Sequence, residues 1–167
     1  MPDRLVAIFP GLALQGYRET SPPTWNYNCI AWAACRTDLW WEPDVNQYYY
    51  WPPGVARDYT LQAYADAYMV LGFEVCATGD FELRFEKIVL FVDGGGLPTH
   101  AARQLENGRW TSKLGPDVDI EHATPQALSG NEYGQPVLFM RRPRSIWRRL
   151  LAILQRVYSI ALTRLRR

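Results

Sequence analysis

Residues 86–114, with the sequence EKIVLFVDGGGLPTHAARQLENGRWTSKL, alternate between runs of strand-forming residues and short turn segments. The first run, residues 86–93, is rich in β-branched and aromatic side chains, which fit the pleated surface of a strand. Asn107-Gly108 separates the later runs, and this dipeptide supplies the positive φ angles that a tight hairpin requires. The stretch therefore predicts three antiparallel strands joined by turns.

Helices are predicted on the N-terminal side of this stretch. Residues 60–71 repeat apolar side chains at helical spacing. A second helix is predicted at about residues 29–38, because Asn26 and Asn28 are good N-cap residues and apolar side chains follow them. Residues 1–14 contain a short apolar run cut by a Pro-Gly pair, which we interpret as an N-terminal strand or extended arm.

Between these helices lies an aromatic segment, residues 39–54, with the sequence LWWEPDVNQYYYWPPG. Its mixture of aromatic residues with proline and glycine is typical of an ordered loop. Many of the aromatic residues of the chain lie between Trp25 and Tyr68, and since each aromatic side chain buries a large area, we expect that wider region to form part of the core or the wall of a cleft.

The remaining segments complete a sheet. Short runs of strand-forming residues are predicted at residues 73–77 and 136–142, with a helical turn at residues 124–130 before the last strand. The segment that carries Asp119 and His122 is interpreted as a loop. Helices followed by a mostly antiparallel sheet predict an α+β fold.

Charge divides the chain of 167 residues into an acidic body and a basic end. Nine of the 18 basic residues are arginines in residues 141–167, which contain no acid; residues 1–140 therefore hold nine basic and 17 acidic residues, a net charge of −8. Apolar side chains in residues 144–167 repeat at helical spacing. We therefore divide the chain into an α+β domain, residues 1–142, and a basic amphipathic helix, residues 143–167.

A basic amphipathic helix suits three kinds of partner. It could lie at an anionic membrane surface, bind a groove on a partner protein, or pack on the acidic body of its own chain. Nucleic acid is not expected, because the negative charge of the body opposes phosphate. Three cysteines without framework spacing indicate reduced thiols, so we expect a cytoplasmic protein, either free or at a membrane surface.

Cys29 directly follows an asparagine at the start of a predicted helix, in the stretch NYNCIAWAAC. A thiol at a helix N-terminus is favoured as a thiolate nucleophile, whereas most free cysteines are small buried core residues. A nucleophile needs a general base, and the chain has two histidines, His100 and His122. Cysteines and histidines show no close ligand pair of the kind that structural zinc sites use, so no metal or cofactor is expected.

The motifs YNCIAWA, EKIVLFV, HAARQ, WTSKLG and IEH together resemble an uncharacterised bacterial domain family over about residues 25–142. More distantly, the Asn-Cys helix start and the histidine-bearing hairpin resemble NlpC/P60 peptidases and other papain-like cysteine hydrolases. The resemblance implies a papain-like fold, in which Cys29 is the nucleophile and His100 the general base. The backbone N–H of Cys29, with Asn26 or Asn28, would then form the oxyanion hole.

The residue that orients the base departs from this pattern. Papain-like enzymes place a His or Asn one strand beyond the base, and this chain has Ser112 and Lys113 there. Those two residues could position a substrate, or they could form the polar face of a strand. We therefore favour His122 as the orienting residue, with Asp119 as the next choice.

These residues favour a thiol hydrolase that cleaves a peptide or amide bond. The alternative is a catalytically inactive papain-like domain that binds a peptide or protein partner in the same cleft. A third hypothesis is a membrane-surface adaptor that acts through residues 144–167.

Overall fold

The computed structural model describes residues 3–146. Its strands are Tyr17–Ser21 (β1), Glu74–Cys76 (β2), Phe85–Val92 (β3), Pro98–Gln104 (β4), Trp110–Lys113 (β5), Asp119–His122 (β6) and Gln135–Pro143 (β7). Its helices are Arg4–Ile8 (α1), Gly11–Gln15 (α2), Cys29–Ala33 (α3) and Leu61–Met69 (α4), and Pro125–Leu128 forms a 3-10 turn. One antiparallel sheet joins the strands in the order β1-β6-β5-β4-β3-β7-β2. The fold class is α+β, as predicted.

Strand β3, which lies between β4 and β7, is apolar on both faces, so the sheet must be covered on both. Side chains alternate across a strand, and Ile88 and Leu90 therefore point to one face while Val89 and Phe91 point to the other. All four side chains are buried. Helices α3 and α4 cover the first face, and α1, α2 and the 3-10 turn cover the second. We call these the α3/α4 face and the α1/α2 face.

Polar caps fix where the helices of the α3/α4 face begin. The Asn28 side chain accepts a hydrogen bond from the backbone N–H of Ala31 at 3.1 Å, at the start of α3. Thr60 caps α4 in the same way, through the N–H of Ala63 at 3.2 Å. Both helices then bury their apolar sides against β3 and β4.

The N-terminal segment is helical, so the prediction of a strand or extended arm for residues 1–14 is wrong. Asp3 caps α1 by accepting a hydrogen bond from the N–H of Leu5 at 2.9 Å. Leu5 lies in α1, Phe9 is the C-cap of that helix, and Leu12 lies in α2. All three are buried against the sheet. Their burial explains why the segment covers the α1/α2 face instead of pairing as a strand.

The segment around Asp119 and His122 is strand β6, and the prediction of a loop there is wrong. All four residues of β6 are buried, although three of them are polar or charged, because the strand lies between β1 and β5. Because most residues of this strand are polar, it shows no apolar periodicity that would predict a strand.

The predicted helix at residues 29–38 is also too long: α3 ends at Ala33, and Cys35 takes a left-handed φ of 62°.

The hairpin predicted between the second and third runs is confirmed. β4 and β5 pair antiparallel, with Gln104 opposite Trp110. The N–H of Leu105 donates to the carbonyl of Arg109 at 2.7 Å, and Gly108 adopts the positive φ of 83° that the turn requires. The helical turn predicted before the last strand is the 3-10 turn.

Residues 147–167, which carry most of the predicted amphipathic helix, lie outside the described residues. The helix, its membrane contact and the division of the chain at residue 142 therefore stay predictions. Among the described residues, no helix is long and apolar enough to cross a membrane.

Candidate functional site

A cavity of about 190 Å³ lies beside the N-terminus of α3. Its lining includes Cys29, Trp40, Glu42, Tyr64 and Thr99, which come from α3, the aromatic segment, α4 and β4. We call it the Cys29 cavity. The predicted nucleophile thus lies in a concave site, which is the usual setting for a ligand.

Asn28 positions two parts of this cavity. Its Oδ1 accepts hydrogen bonds from the N–H of Ala31 at 3.1 Å and of Trp41 at 3.3 Å, and its Nδ2 donates to the Trp41 carbonyl at 2.7 Å. The amide therefore caps α3 and holds the aromatic segment against the helix. These bonds give Asn28 a structural task, and the oxyanion role assigned to it stays a prediction.

The Cys29 side chain is poorly suited to ionise. It is 8% exposed, and burial raises the pKa of its thiol to about 11. The backbone N–H groups of Ala101 and Ile30 and the charge of Lys113 lower this pKa by smaller amounts. Because a thiol reacts as the thiolate, this environment disfavours reaction of Cys29 at neutral pH.

Exposed aromatic rings continue outward from the cavity. The ring of Trp40 stacks on that of Trp25, with centroids 5.8 Å apart, and packs against that of Tyr49, with centroids 6.2 Å apart. Trp25 is 74% exposed and Tyr49 is 44% exposed. Glu42 anchors the group, since it accepts hydrogen bonds from Trp40 Nε1 at 3.2 Å and from the Tyr59 hydroxyl at 2.7 Å. We call Trp25, Trp40, Tyr49 and Tyr59 the aromatic rim.

On the α1/α2 face, Ser112 joins the two histidines in a buried network. Its Oγ lies 3.0 Å from His100 Nε2 and 2.9 Å from His122 Nε2, and all three side chains are inaccessible to solvent. His122 Nδ1 donates to the Thr124 carbonyl at 2.8 Å, so in the neutral ring Nε2 must accept from the Ser112 hydroxyl. Ser112 then accepts from His100 Nε2–H, and His100 Nδ1 makes no hydrogen bond within the described residues.

Burial keeps both imidazoles neutral. It lowers the pKa of His100 to about 3, with a further contribution from the nearby His122, and it lowers the pKa of His122 to about 4. The His100 ring also stacks on Tyr133, with centroids 4.1 Å apart. The three side chains of the network are therefore enclosed by protein.

Cys29 and His100 lie on opposite faces of the sheet. Ala101, which follows His100 in β4, belongs with Cys29 to the apolar cluster of the α3/α4 face. Since side chains alternate along a strand, the His100 imidazole points to the α1/α2 face, where its centroid lies 5.2 Å from that of Phe91. The structure brings His100 to the serine network and does not bring it to Cys29.

Lys113 and Asp119 form a second buried polar cluster, on the α3/α4 face. Lys113 Nζ lies 3.9 Å from Asp119 Oδ1, and it donates a hydrogen bond to the carbonyl of Asp117. Asp119 Oδ2 accepts from the Tyr27 hydroxyl at 2.6 Å and from Ser21 Oγ at 2.5 Å. Burial lowers the pKa of Lys113, while the charge of Asp119 opposes that shift. Both side chains are inaccessible, so they support the sheet beside the cavity without lining it.

Asn26, the remaining predicted site residue, is exposed, and its backbone N–H donates to the Thr24 hydroxyl at 3.2 Å. Sequence analysis did not single out the members of the aromatic rim or Glu42. The signal for them was the concentration of aromatic residues between Trp25 and Tyr68, but composition alone does not separate exposed rings from buried ones. Within residues 3–146, no group of three or more His, Cys, Asp or Glu side chains is placed to hold a metal ion.

Comparison with known proteins agrees with the resemblance at the level of the domain family. No curated protein and no solved structure matches the chain. A family model described as a domain of unknown function (DUF7689) matches residues 18–141, which confirms the prediction of an uncharacterised family and brings no link to papain-like or NlpC/P60 proteins. The chain belongs to the DUF7689 family.

Proposed function

We propose that this domain is a binding module that holds an extended peptide segment in the Cys29 cavity and across the aromatic rim. The observation that carries the proposal is the continuity of the cavity with an exposed aromatic stack. Trp40 lines the cavity and also packs against Trp25 and Tyr49. A bound segment could therefore contact a pocket and a flat apolar surface at the same time.

Exposed aromatic rings are well suited to this task. A large apolar side chain in water gains free energy when a partner covers it, and aromatic residues are enriched at protein interfaces. Trp25 and Tyr49 each pack against the ring of Trp40, which restricts the positions open to them. Such prior ordering reduces the conformational entropy lost when a ligand binds.

Glu42 supplies a polar anchor inside the site. Its carboxylate lines the cavity and accepts hydrogen bonds from two neutral donors of the rim, Trp40 and Tyr59. A peptide N–H or a basic side chain could add to these bonds. Aromatic surfaces combined with one or a few polar groups are typical of grooves that bind extended, proline-containing peptides.

The hydrolase hypothesis, with its papain-like active site, receives less support. It requires a base within hydrogen-bond reach of the nucleophile, and His100 points to the opposite face of the sheet from Cys29. It also requires an accessible thiolate, whereas burial raises the pKa of Cys29 to about 11. The binding alternative needs neither feature.

The proposal can be tested with a phage-displayed library of random 12-residue peptides selected on the full chain. We expect enriched peptides whose binding is lost in Trp25→Ala and Trp40→Ala. The matched control is Phe81→Ala, which removes an exposed aromatic ring that lines a separate cavity near Trp110. Peptides bound through the rim should retain their affinity for this control.

The same protein should be labelled with iodoacetamide at neutral pH. We expect Cys29 to react more slowly than the exposed Cys35. If no peptide is enriched, or if the enriched peptides bind the Trp25 and Trp40 variants normally, the proposal is wrong. If Cys29 instead reacts faster than Cys35 and loses that reactivity in His100→Ala, the hydrolase hypothesis replaces it.

A further inference from the structure

A larger cavity, of about 310 Å³, lies at the far side of α3 from the Cys29 cavity, between the end of that helix and strands β3 and β4. Ala33, Phe73 and Ile88 give it an apolar wall, and Arg103 and Arg144 bring two guanidinium groups to its lining. Small-molecule sites begin at roughly 300 Å³, so the volume of this cavity is at the lower end of their range. An apolar wall with two cations indicates a ligand that has both an apolar part and a negatively charged group.

Within the described part of the chain, no carboxylate pairs with Arg103 to neutralise its charge. Its guanidinium lies over the ring of Trp32, 4.3 Å from the ring centroid, and its NH1 lies 3.7 Å from the Sγ of Cys35. Its Nε makes no hydrogen bond within residues 3–146. The nearby Arg142 differs, since it pairs with Glu86 at 2.7 Å. Arg103 therefore retains hydrogen-bonding capacity that Arg142 has already used.

Arg144 is also incompletely satisfied. Its side chain is 14% exposed, and its Nε donates to the Leu83 carbonyl at 3.0 Å. NH1 lies 3.6 Å from the carboxylate of Glu106, a side chain that is 89% exposed, and NH2 makes no hydrogen bond within the described residues. The third cation of the lining, Lys87, already pairs with Glu82 at 2.6 Å.

The geometry points to a binding site for an organic anion in this cavity. A carboxylate or phosphate group would bridge Arg103 and Arg144, because a planar guanidinium donates paired hydrogen bonds to such oxygens. The apolar part of the ligand would lie against Phe73 and Ile88. Of the two carboxylates in the lining, Glu86 is neutralised by Arg142, and Glu106 is 89% exposed, so solvent screens its charge. This site is separate from the Cys29 cavity and does not depend on the proposed peptide binding.

Cys35 provides a built-in reporter. Its thiol is exposed and lines the cavity next to Arg103, so a bound anion should shield it from alkylation. The rate of iodoacetamide labelling at Cys35 can be measured on the full chain with hexanoate, hexyl phosphate, inorganic phosphate or hexylammonium as the probe. We expect hexanoate and hexyl phosphate to slow labelling several-fold, inorganic phosphate to act only at higher concentration, and hexylammonium to have no effect. Cys76, which does not line this cavity, is the internal control.

Variants test the two arginines directly. Arg103→Gln and Arg144→Gln should each weaken the binding of hexanoate about tenfold or more, as measured by calorimetry, because each removes a charge-assisted hydrogen bond. The matched control is Arg36→Gln, which removes an exposed arginine that pairs with Asp38 outside the cavity and should leave the affinity unchanged. Circular dichroism checks the fold, and Arg144→Lys serves if Arg144→Gln fails to fold.

The proposal is overturned if neither hexanoate nor hexyl phosphate protects Cys35 or gives a calorimetric signal. Equal binding of hexylammonium would show that the site selects for the apolar chain and not for the anion. Equal affinity of the wild type and both arginine variants would also contradict the proposal. A difference between the two anionic probes identifies the preferred headgroup.

Discussion

The two faces of the sheet bury polar side chains in different ways. On the α1/α2 face, His100, Ser112 and His122 share hydrogen bonds between neutral groups. On the α3/α4 face, Lys113 and Asp119 bring two ionisable groups together at 3.9 Å. Adjacent residues of β5 supply both clusters, because successive side chains of a strand point to opposite faces.

This difference predicts how substitution and acid should each affect the stability that the two clusters contribute. A buried charge that loses its partner is strongly destabilising, whereas a neutral donor or acceptor that loses its partner costs less. A neutral network of histidines is instead sensitive to acid, which would force a charge into the interior. Variants on the two faces therefore separate these effects within one sheet.

The largest loss of stability is expected for Asp119→Ala. Lys113 would keep its buried ammonium without the nearby carboxylate, and the Tyr27 hydroxyl would lose its acceptor. The free energy of unfolding should fall by about 3–5 kcal/mol, measured by urea denaturation. The control is the double variant Lys113→Met with Asp119→Leu, which should recover much of the loss. A cost below about 1 kcal/mol for Asp119→Ala would contradict a buried charge here.

Ser112→Ala should cost less, about 1–3 kcal/mol of unfolding free energy. It leaves His122 Nε2 without a donor and His100 Nε2–H without an acceptor, but it leaves no uncompensated charge. The matched control is Ser129→Ala, because Ser129 Oγ makes no hydrogen bond within the described residues. Equal losses in the two variants would mean that the Ser112 bonds do not contribute.

Acid should weaken the fold through the same network. An unfolded histidine binds a proton as the pH falls below about 6.5, whereas the folded pKa values are about 3 for His100 and about 4 for His122. The unfolded state therefore holds more protons between these values, and the free energy of unfolding should decrease as the pH falls from 6.5 toward 4. The expected slope is about 1.4 kcal/mol per pH unit for each histidine.

Urea midpoints at several pH values measure this slope. His100→Phe should reduce it by the share of one histidine, since the new ring can pack between Phe91 and Tyr133 without titrating. Stability that is independent of pH across this window in the wild type would show that the imidazoles are not held neutral by burial.

The alternation of side chains also explains which parts of the structure the sequence predicts and which it does not. The apolar run of β3, the Asn107-Gly108 turn and the period of α4 are local signals, and each one predicts its element. The face to which His100 points is not a local signal. Residues 100–102 are all buried, and only the packing of Ala101 against α3 reveals that the imidazole lies on the other face.

Strand β6 is a second feature that local sequence patterns do not predict. Its polar residues indicate a loop, but they are buried because β6 pairs on one side with the preceding strand β5 and on the other with β1, which is far away in the sequence. The fold class therefore follows from local patterns, whereas the candidate site depends on pairings that bring distant residues together. The aromatic rim is similar, since its composition is visible in the sequence but the exposure of each ring is not.

The smallest effect is expected at the outer edge of the α3/α4 face, where Trp25→Ala should change the unfolding free energy by no more than about 0.5 kcal/mol. Trp25 is 74% exposed, so its removal leaves no cavity in the core. The contrasting control is Trp41→Ala: Trp41 is 1% exposed, and its loss should cost about 3–5 kcal/mol. Thermal unfolding of both variants measures the difference. A loss at Trp25 close to that at Trp41 would mean that the rim is part of the core, and a free binding surface would then have to be sought elsewhere on the domain.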